Sequence, residues 1–424
     1  MNPATIQMIT AKILHGRRND MSAISGGLQK LENAPVAELV DRLLDQAIRT
    51  RASDIHIEPQ GEMLRIRFRI DGELCEMHEL PMGVHAFLIS RIKIISSLDI
   101  TEKRLPQDGR FLYAYQGRNI DVRVSTMPIL QGEKIVLRLL NAADRLLAID
   151  ELGFSSTNKK IFYDLCHKSH GLILNTGPVN SGKTTTLYAA LSELNEVNKN
   201  IVTLEDPVEY CLPGINQIQV TQKGKLTFPI GLRSVLRQDP NIIMVGEIRD
   251  GETAEIAVRA ALTGHLVFST LHTNNALGSI FRLLDMGIEP YLLAASLQGV
   301  LAQRLVRQIC PACREAYTVL ADSREAAFLG TCYRAGLQLQ RGRGCPECNG
   351  TGYRGRLAIH EFLLLEDDFR LALQSGADLL QLREIACRNM VMMPADGREK
   401  ILSGQTTVAE VVRAVYDSGC GKNG

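Results

Sequence analysis

Ile6, Ile9 and Ile13 recur three and four residues apart, the spacing of one face of a short helix, before the chain runs into GRRND and the pliable stretch 22–30. Residues 1–33 are therefore read as an N-terminal arm. From Val36 the apolar set Val36, Leu39, Val40, Leu43, Leu44 and Ala47 predicts a helix with one buried stripe. The period then drops to two. Ile55 and Ile57, then Leu64, Ile66, Phe68 and Ile70, alternate with polar residues including Arg65, Arg67 and Arg69, as in strands with one face buried. RIDGE supplies a turn, a helical stretch follows near 84–98, and two further alternating runs, Ile120/Val122/Val124 and Ile135/Leu137/Leu139, complete a small α+β domain over 34–145.

Beyond 146 the texture changes to short apolar runs separated by helical patterns: GLILNT (171–176), NIVTLED (200–206), NIIMVGE (241–247) and HLVFSTL (265–271). Strands of that kind belong to a parallel sheet covered on both faces. The expected fold class is α/β, with a nucleotide-binding core over 146–304. Residues 305–356 are rich in cysteine and glycine and read as a separate subdomain, and 357–424 read as a helical C-terminal region.

Composition narrows the function classes. A chain of 424 residues, 45% apolar and 22% charged, is globular and long enough for several domains. Its net charge of +1 gives no footprint for neutralising a phosphate backbone, so no nucleic-acid partner is expected. The chain lacks an apolar run of membrane-spanning length, and its opening residues lack the apolar core of a signal peptide, which predicts a cytoplasmic protein. Ten cysteines in such a setting stay reduced, so their spacing matters more than their number.

Gly177, Gly182, Lys183 and Thr184 satisfy G-x-x-x-x-G-K-[ST], between a predicted strand and a helix with Leu187, Ala190, Leu191 and Leu194 on one face. In such a loop backbone N–H groups cradle phosphate oxygens, the lysine neutralises charge and the hydroxyl holds Mg²⁺. The candidate ATP site is thus Gly177, Pro178, Val179, Asn180, Ser181, Gly182, Lys183, Thr184 and Thr185, with Lys183 also catalytic and Thr184 on the metal.

Glu247 stands just past an apolar strand, where phosphate chemistry occurs in open α/β sheets, and is assigned to orient or deprotonate the attacking water. Glu205, Asp206 and Glu209 crowd a second strand end and read as a metal- or water-positioning station, with helix capping as the alternative. Glu205 is taken as catalytic. His265 and His272 bracket one strand and are candidates for phosphate or for the acids. Arg233, Arg237 and Arg249 are candidates for transition-state charge, Arg249 the catalytic one. Arg65, Arg67, Arg69, Arg104 and Arg110 either reach the nucleotide across a domain boundary or form a solvated sheet face.

Cys310-Pro-Ala-Cys313 and Cys345-Pro-Glu-Cys348, with 31 residues between the pairs, form two knuckles suited to a closed Zn–S₄ site of structural type. Cys75, Cys166, Cys211, Cys332, Cys387 and Cys420 are expected to be ordinary thiols.

Together RASDIHIEP (51–59), RFRIDGEL (67–74), KRLPQDGRF (103–111), DVRVSTMP (121–128), GPVNSGKTTTLYAAL (177–191), TLEDPVEY (203–210), LRQDPNIIMVGEIRDGETAEIA (236–257), LTGHLVFSTLHTNNA (262–276) and the cysteine pairs resemble the secretion ATPases of bacterial type II secretion and type IV pilus assembly, the general secretion pathway protein E family. The resemblance implies a RecA-like ATPase core, a small PAS-like N-terminal sensing domain and a tetracysteine zinc subdomain. It also implies ATP, Mg²⁺ and Zn²⁺ as cofactors and a homohexamer peripheral on the cytoplasmic face of the inner membrane. There it would dock on integral membrane proteins and power pseudopilus or pilus assembly. Beside the family's pattern, Val179 and Asn180 stand for Thr-Gly, Asn175 for an apolar strand residue and Asn241 for an aspartate, and the resemblance implies a leading domain reduced to the arm 1–33. Two alternatives follow: a nucleotide-binding ring subunit with weak hydrolysis, and a related DNA-translocating or conjugative motor, which the net charge of +1 disfavours.

Overall fold

A computed structural model describes residues 3–19, 34–140, 146–221 and 225–416. The chain divides into two compact units, Met1–Arg145 and Leu146–Gly424. Among the described residues no helix is long and apolar enough to cross a membrane.

The N-terminal unit contains α1 (Pro3–Asn19), α2 (Ala34–Arg49), β1 (Ala52–Gln60), β2 (Met63–Ile70), β3 (Glu73–Pro81), α3 (His85–Ile95), β4 (Gln107–Tyr115), β5 (Arg118–Ile129) and β6 (Gly132–Leu140). Its six strands form one antiparallel sheet in the order β3-β2-β1-β6-β5-β4. Alternation decides which face is covered: Ile55, Ile57, Leu64, Ile66, Phe68, Val122 and Leu137 share one core with Leu39, Val40 and Leu43 of α2. Ile6, Ile9 and Ile13 of α1 are buried in that same core, so the first part of the expected arm packs as a helix of this unit; residues 20–33 lie outside the described residues.

On the same sheet Glu58 accepts from Arg67 Nε at 2.8 Å and pairs with Lys134 at 2.8 Å and Arg65 at 3.3 Å. Burial alone would raise its carboxyl, but the hydrogen bonds from Arg67 and Lys134 bring it down to about 2. Arg69 pairs with Asp54 at 3.7 Å. Arg65, Arg67 and Arg69 are therefore engaged within their own sheet. Arg110 lines a cleft of about 550 Å³ on this sheet together with Arg123 and Arg138.

The second unit runs α4 (Ser156–Cys166), β7 (Gly171–Thr176), α5 (Lys183–Glu193), β8 (Ile201–Glu205), β9 (Asn216–Gln219), α6 (Phe228–Val235), β10 (Ile242–Val245), α7 (Gly251–Leu262), β11 (Leu266–Leu271), α8 (Ala276–Asp285), α9 (Pro290–Ser296) and β12 (Leu297–Ile309). Then follow β13 (Arg314–Thr318), α10 (Arg324–Leu329), β14 (Gln338–Gly342), β15 (Tyr353–Leu364), α11 (Asp367–Gln374), α12 (Leu379–Asn389), α13 (Met393–Leu402) and α14 (Val408–Tyr416). Seven strands make the main sheet, ordered β15-β12-β7-β11-β10-β8-β9, all parallel except β15. The four apolar runs are β7, β8, β10 and β11, each buried along its whole length. β13 and β14 form a separate two-stranded hairpin.

Two sequence boundaries fall inside strands. Residue 305 lies within β12, which continues unbroken to Ile309, and 357–364, expected to be helical, complete β15. Both strands carry buried polar residues, Gln303 and Arg304 in one and His360 and Glu361 in the other, which break the apolar pattern. His360 belongs to a polar knot that ties α13 to the sheet. Asp396 accepts from Lys400 Nζ at 2.5 Å, from the His360 backbone N–H at 2.8 Å and from Asn158 Nδ2 of α4 at 2.9 Å. Lys400 also donates to the Ala358 carbonyl at 2.6 Å. Burial pushes the His360 imidazole down to about 4.

Candidate nucleotide site and metal centre

The phosphate loop joins the end of β7 to the start of α5, on the edge where the parallel strands finish. Gly177 must be glycine: a Cβ there would lie 2.5 Å from the Gln303 carbonyl oxygen and 2.6 Å from Ser181 Oγ. Asn180 has φ 63°, the left-handed conformation that asparagine adopts more readily than other side chains. Lys183 Nζ donates to the carbonyls of Gly177 at 2.8 Å and Pro178 at 2.9 Å, which holds the ammonium at the loop's mouth. Burial lowers this lysine to about 8, a shift that Arg304 reinforces and Glu247 opposes.

The Gly246–Glu247 turn is pinned at the same edge. Gly246 N–H donates to the Leu204 carbonyl at 2.7 Å and Ile248 N–H to the Thr270 carbonyl at 3.0 Å. The Glu247 side chain, 15% exposed, accepts from Arg249 and lies 3.4 Å from His272 Nε2. Burial and the Lys183 charge lower His272, while Glu247 works in the opposite direction. Lys183, Glu247, Arg249 and His272 thus form one electrostatic group around the loop.

Thr184 Oγ1 donates to Glu209 Oε1 at 3.3 Å. Asp206 is exposed on the same segment and adds to the field on Arg249. A hydroxyl beside carboxylates is the oxygen donor set that Mg²⁺ takes, so these residues fit the ion with a nucleotide phosphate, Thr184 and Glu209 being the ones that would hold it.

Other expected site residues lie elsewhere. Glu205, expected as a catalytic acid, is 3% exposed and turned inward. It accepts from Tyr188 of α5, from Thr203 Oγ1 at 2.6 Å and from Gln217 Nε2 at 3.2 Å, because the last position of β8 faces the side of the sheet packed under α5. His265 precedes β11 while the loop follows β7. In parallel strands those are opposite edges, and its Nδ1 is occupied by the Ala260 carbonyl at 3.0 Å. Arg233 pairs with Glu252 at 2.6 Å, and Arg237 donates to the Arg233 carbonyl at 2.9 Å; both are exposed and neither is gathered around the loop. Sequence reasoning missed Tyr188 and Gln303. The signal for Gln303 was available: an amide in the middle of the apolar run VLAQRLV.

The cysteine knuckles close on each other. All four sulfurs lie within 4.8 Å of one another, with 3.9 Å for Cys310–Cys345, 3.9 Å for Cys313–Cys348 and 3.7 Å for Cys345–Cys348. A zinc tetrahedron with bonds of about 2.3 Å needs sulfur separations of about 3.8 Å, so the set fits the ion. The N–H groups of Cys345 and Gly352 point at Cys348 Sγ from 3.1 and 3.2 Å. Burial raises this thiol, but those donors and the neighbouring cysteines bring it down to about 6, while burial and its own neighbouring cysteines push Cys313 up. Cys75, Cys166, Cys211, Cys332 and Cys387 form no disulfide and lie away from this cluster; Cys420 lies outside the described residues.

A family model described as Type II/IV secretion system protein matches residues 29–413. The chain is 50% identical over 390 residues, 92% of its own length and 77% of the relative's, to Type II secretion system protein E of Pseudomonas aeruginosa. It is 48% identical over 391 residues, 92% of its length and 77% of the relative's, to Type II secretion system ATPase E of Vibrio cholerae. Its structure is similar to the crystal structure of the pilus retraction motor PilT and bound ADP, with a TM-score of 0.59 and 27% identity over 88% of this chain and 96% of that one.

Proposed function

The chain belongs to the type II/IV secretion system protein family, in its type II secretion protein E group, and on that premise we propose that it is a hexameric ATP-hydrolysing motor. Its work would be assembly of a type II secretion pseudopilus or a type IV pilus, at the cytoplasmic face of the inner membrane and on integral membrane partners. The observation that carries this reading is the placement of Glu247 at the mouth of the phosphate loop, within the field of Lys183 and held between Arg249 and His272.

In this mechanism the loop N–H groups and Lys183 bind the β- and γ-phosphates of ATP, and Thr184 and Glu209 are the residues that would hold Mg²⁺. The ion held there would supply charge neutralisation to the phosphates. Glu247 accepts a hydrogen bond from the attacking water and takes its proton, while Arg249 fixes the carboxylate and His272 steadies its second oxygen. Glu205 acts through Tyr188 and Gln217 to hold the segment that carries Asp206 and Glu209. Arg233 and Arg237, exposed on and after α6, are offered to an adjacent chain of the ring as transition-state cations. Zinc held by Cys310, Cys313, Cys345 and Cys348 would staple the β13–β14 subdomain and take no part in the chemistry.

The test is phosphate release by the purified chain with Mg-ATP, compared with Glu247→Gln. Turnover lowered about a hundredfold or more in the variant, with ATP binding kept, supports the reading. A rate that survives the substitution unchanged would sink it. Light scattering that gives six chains per particle in ATP, and copurification with inner-membrane proteins encoded by neighbouring genes, test the ring and its partner.

A further inference from the structure

Ala302 of β12 pairs with Thr176 at the end of β7, so the next residue, Gln303, lies beside the first residue of the phosphate loop. Gln303 is 1% exposed. Its Oε1 accepts from Asn175 Nδ2 at 3.1 Å and from Thr186 Oγ1 at 2.9 Å, and its Nε2 donates to the Ser181 carbonyl at 2.7 Å. One buried amide therefore ties together the strand before the loop, the loop itself and the first turn of the helix after it. The partners also fix which way round it sits. Exchanging its oxygen and nitrogen would set oxygen against the Ser181 carbonyl and one NH₂ group against another at Asn175.

The effect on the loop follows from peptide geometry. In a planar trans peptide the C=O of one residue and the N–H of the next point in opposite directions. Anchoring the Ser181 carbonyl on the buried side turns the Gly182 N–H to the other side, where the loop's donors meet phosphate. The fit is close: a Cβ at Gly182 would lie 3.0 Å from Gln303 Nε2.

Asn175 adds a second observation. Among the described residues its buried Oδ1 has no hydrogen-bond partner, an orphan that an apolar residue in the same strand would not leave. Its Nδ2 is what reaches Gln303, and at 3.4 Å also the Lys183 carbonyl. We propose that Gln303, fixed in place by Asn175, is the positioning residue of the phosphate site: it aims the Gly182 N–H and sets where α5 begins. This role rests on the ATPase reading above.

The experiment uses the full chain carrying Gln303→Met, Gln303→Glu or Thr186→Val, with a fluorescent ATP analogue for affinity and phosphate release for KM and kcat. Melting and zinc content report folding. Expected for Gln303→Met is ATP affinity weaker by about tenfold or more, with KM raised more than kcat is lowered. Gln303→Glu separates aim from packing, because its carboxylate cannot donate to Ser181 but its protonated acid can. Relative to wild type it binds poorly at about pH 8.5 and recovers toward about pH 6, while Gln303→Met does not recover. A Gln303 that merely packs would lower the melting temperature and leave KM and the pH profile of the folded enzyme unchanged; that result overturns the proposal. Should both Gln303 variants fail to fold, Thr186→Val decides, with affinity weakened about threefold in support and unchanged affinity against. A wild-type chain that binds no ATP would instead overturn the ATPase reading.

Discussion

His272 Nε2 lies 3.4 Å from Glu247 Oε2, while Arg249 holds the other oxygen of the same carboxylate. Burial and the Lys183 charge lower the histidine, so at pH 7 the ring is neutral and leaves the acid's negative charge intact for the water. His272→Ala is expected to lower kcat about tenfold at saturating ATP, less than Glu247→Gln, with affinity for ATP changed by no more than about twofold. Steady-state phosphate release on the two variants checks the order.

Asn180 already holds the left-handed backbone, at φ 63°, that a glycine would supply. Replacing Val179-Asn180 by Thr-Gly is therefore expected to leave turnover within about twofold of wild type. Asn180→Val, β-branched and confined to the other side of φ, is expected to lose about 1–2 kcal/mol at the loop and about tenfold in ATP affinity. A sharp rise in turnover for Thr-Gly would favour the weak-hydrolysis alternative.

Metal analysis is expected to return one zinc per chain, and Cys348→Ser to lose it, since that sulfur receives two backbone N–H donors as well as the ion. The structural consequence is local. Limited proteolysis after chelation is expected to cut within 310–350, the stretch spanning the β13–β14 hairpin and both knuckles, while the parallel sheet survives.

His360 gives the second unit, Leu146–Gly424, an acid limit. Burial has lowered its folded-state value to about 4 from 6.5, with Asp396 raising it and Lys400 lowering it. Above about pH 6.5 folded and unfolded chains both carry the neutral ring and no stability depends on it. Between about 6.5 and 4 the unfolded chain takes up a proton that the folded chain refuses, so stability falls with falling pH, by about 3 kcal/mol in all. Denaturant midpoints across that window check the slope, and His360→Phe is expected to flatten it.

Much of this was readable from residue order, and the failures have identifiable causes. β7, β8, β10 and β11 announce themselves because every position is buried and apolar or nearly so. β12 and β15 do not, because Gln303, Arg304, His360 and Glu361 occupy buried positions that only a folded neighbour can satisfy. The loop, Glu247 and the cysteine knuckles follow from spacing, since their chemistry depends on local backbone. Glu205 is placed apart from Asp206 because closeness in sequence says nothing about which side of the sheet a strand's last residue faces. His265 could have been set aside from sequence alone: in a parallel sheet, residues that precede a strand sit on the edge opposite the phosphate loop.

The Cβ that Gly177 has no room for also governs how this loop can change over generations. Every single-base alteration of a glycine codon that changes the residue adds a side chain, so no tolerated neighbour exists at that position. Val179, 73% exposed, and Asn180, in a conformation asparagine accepts, are open to drift. Variation in the phosphate loop is thereby channelled to its outer rim.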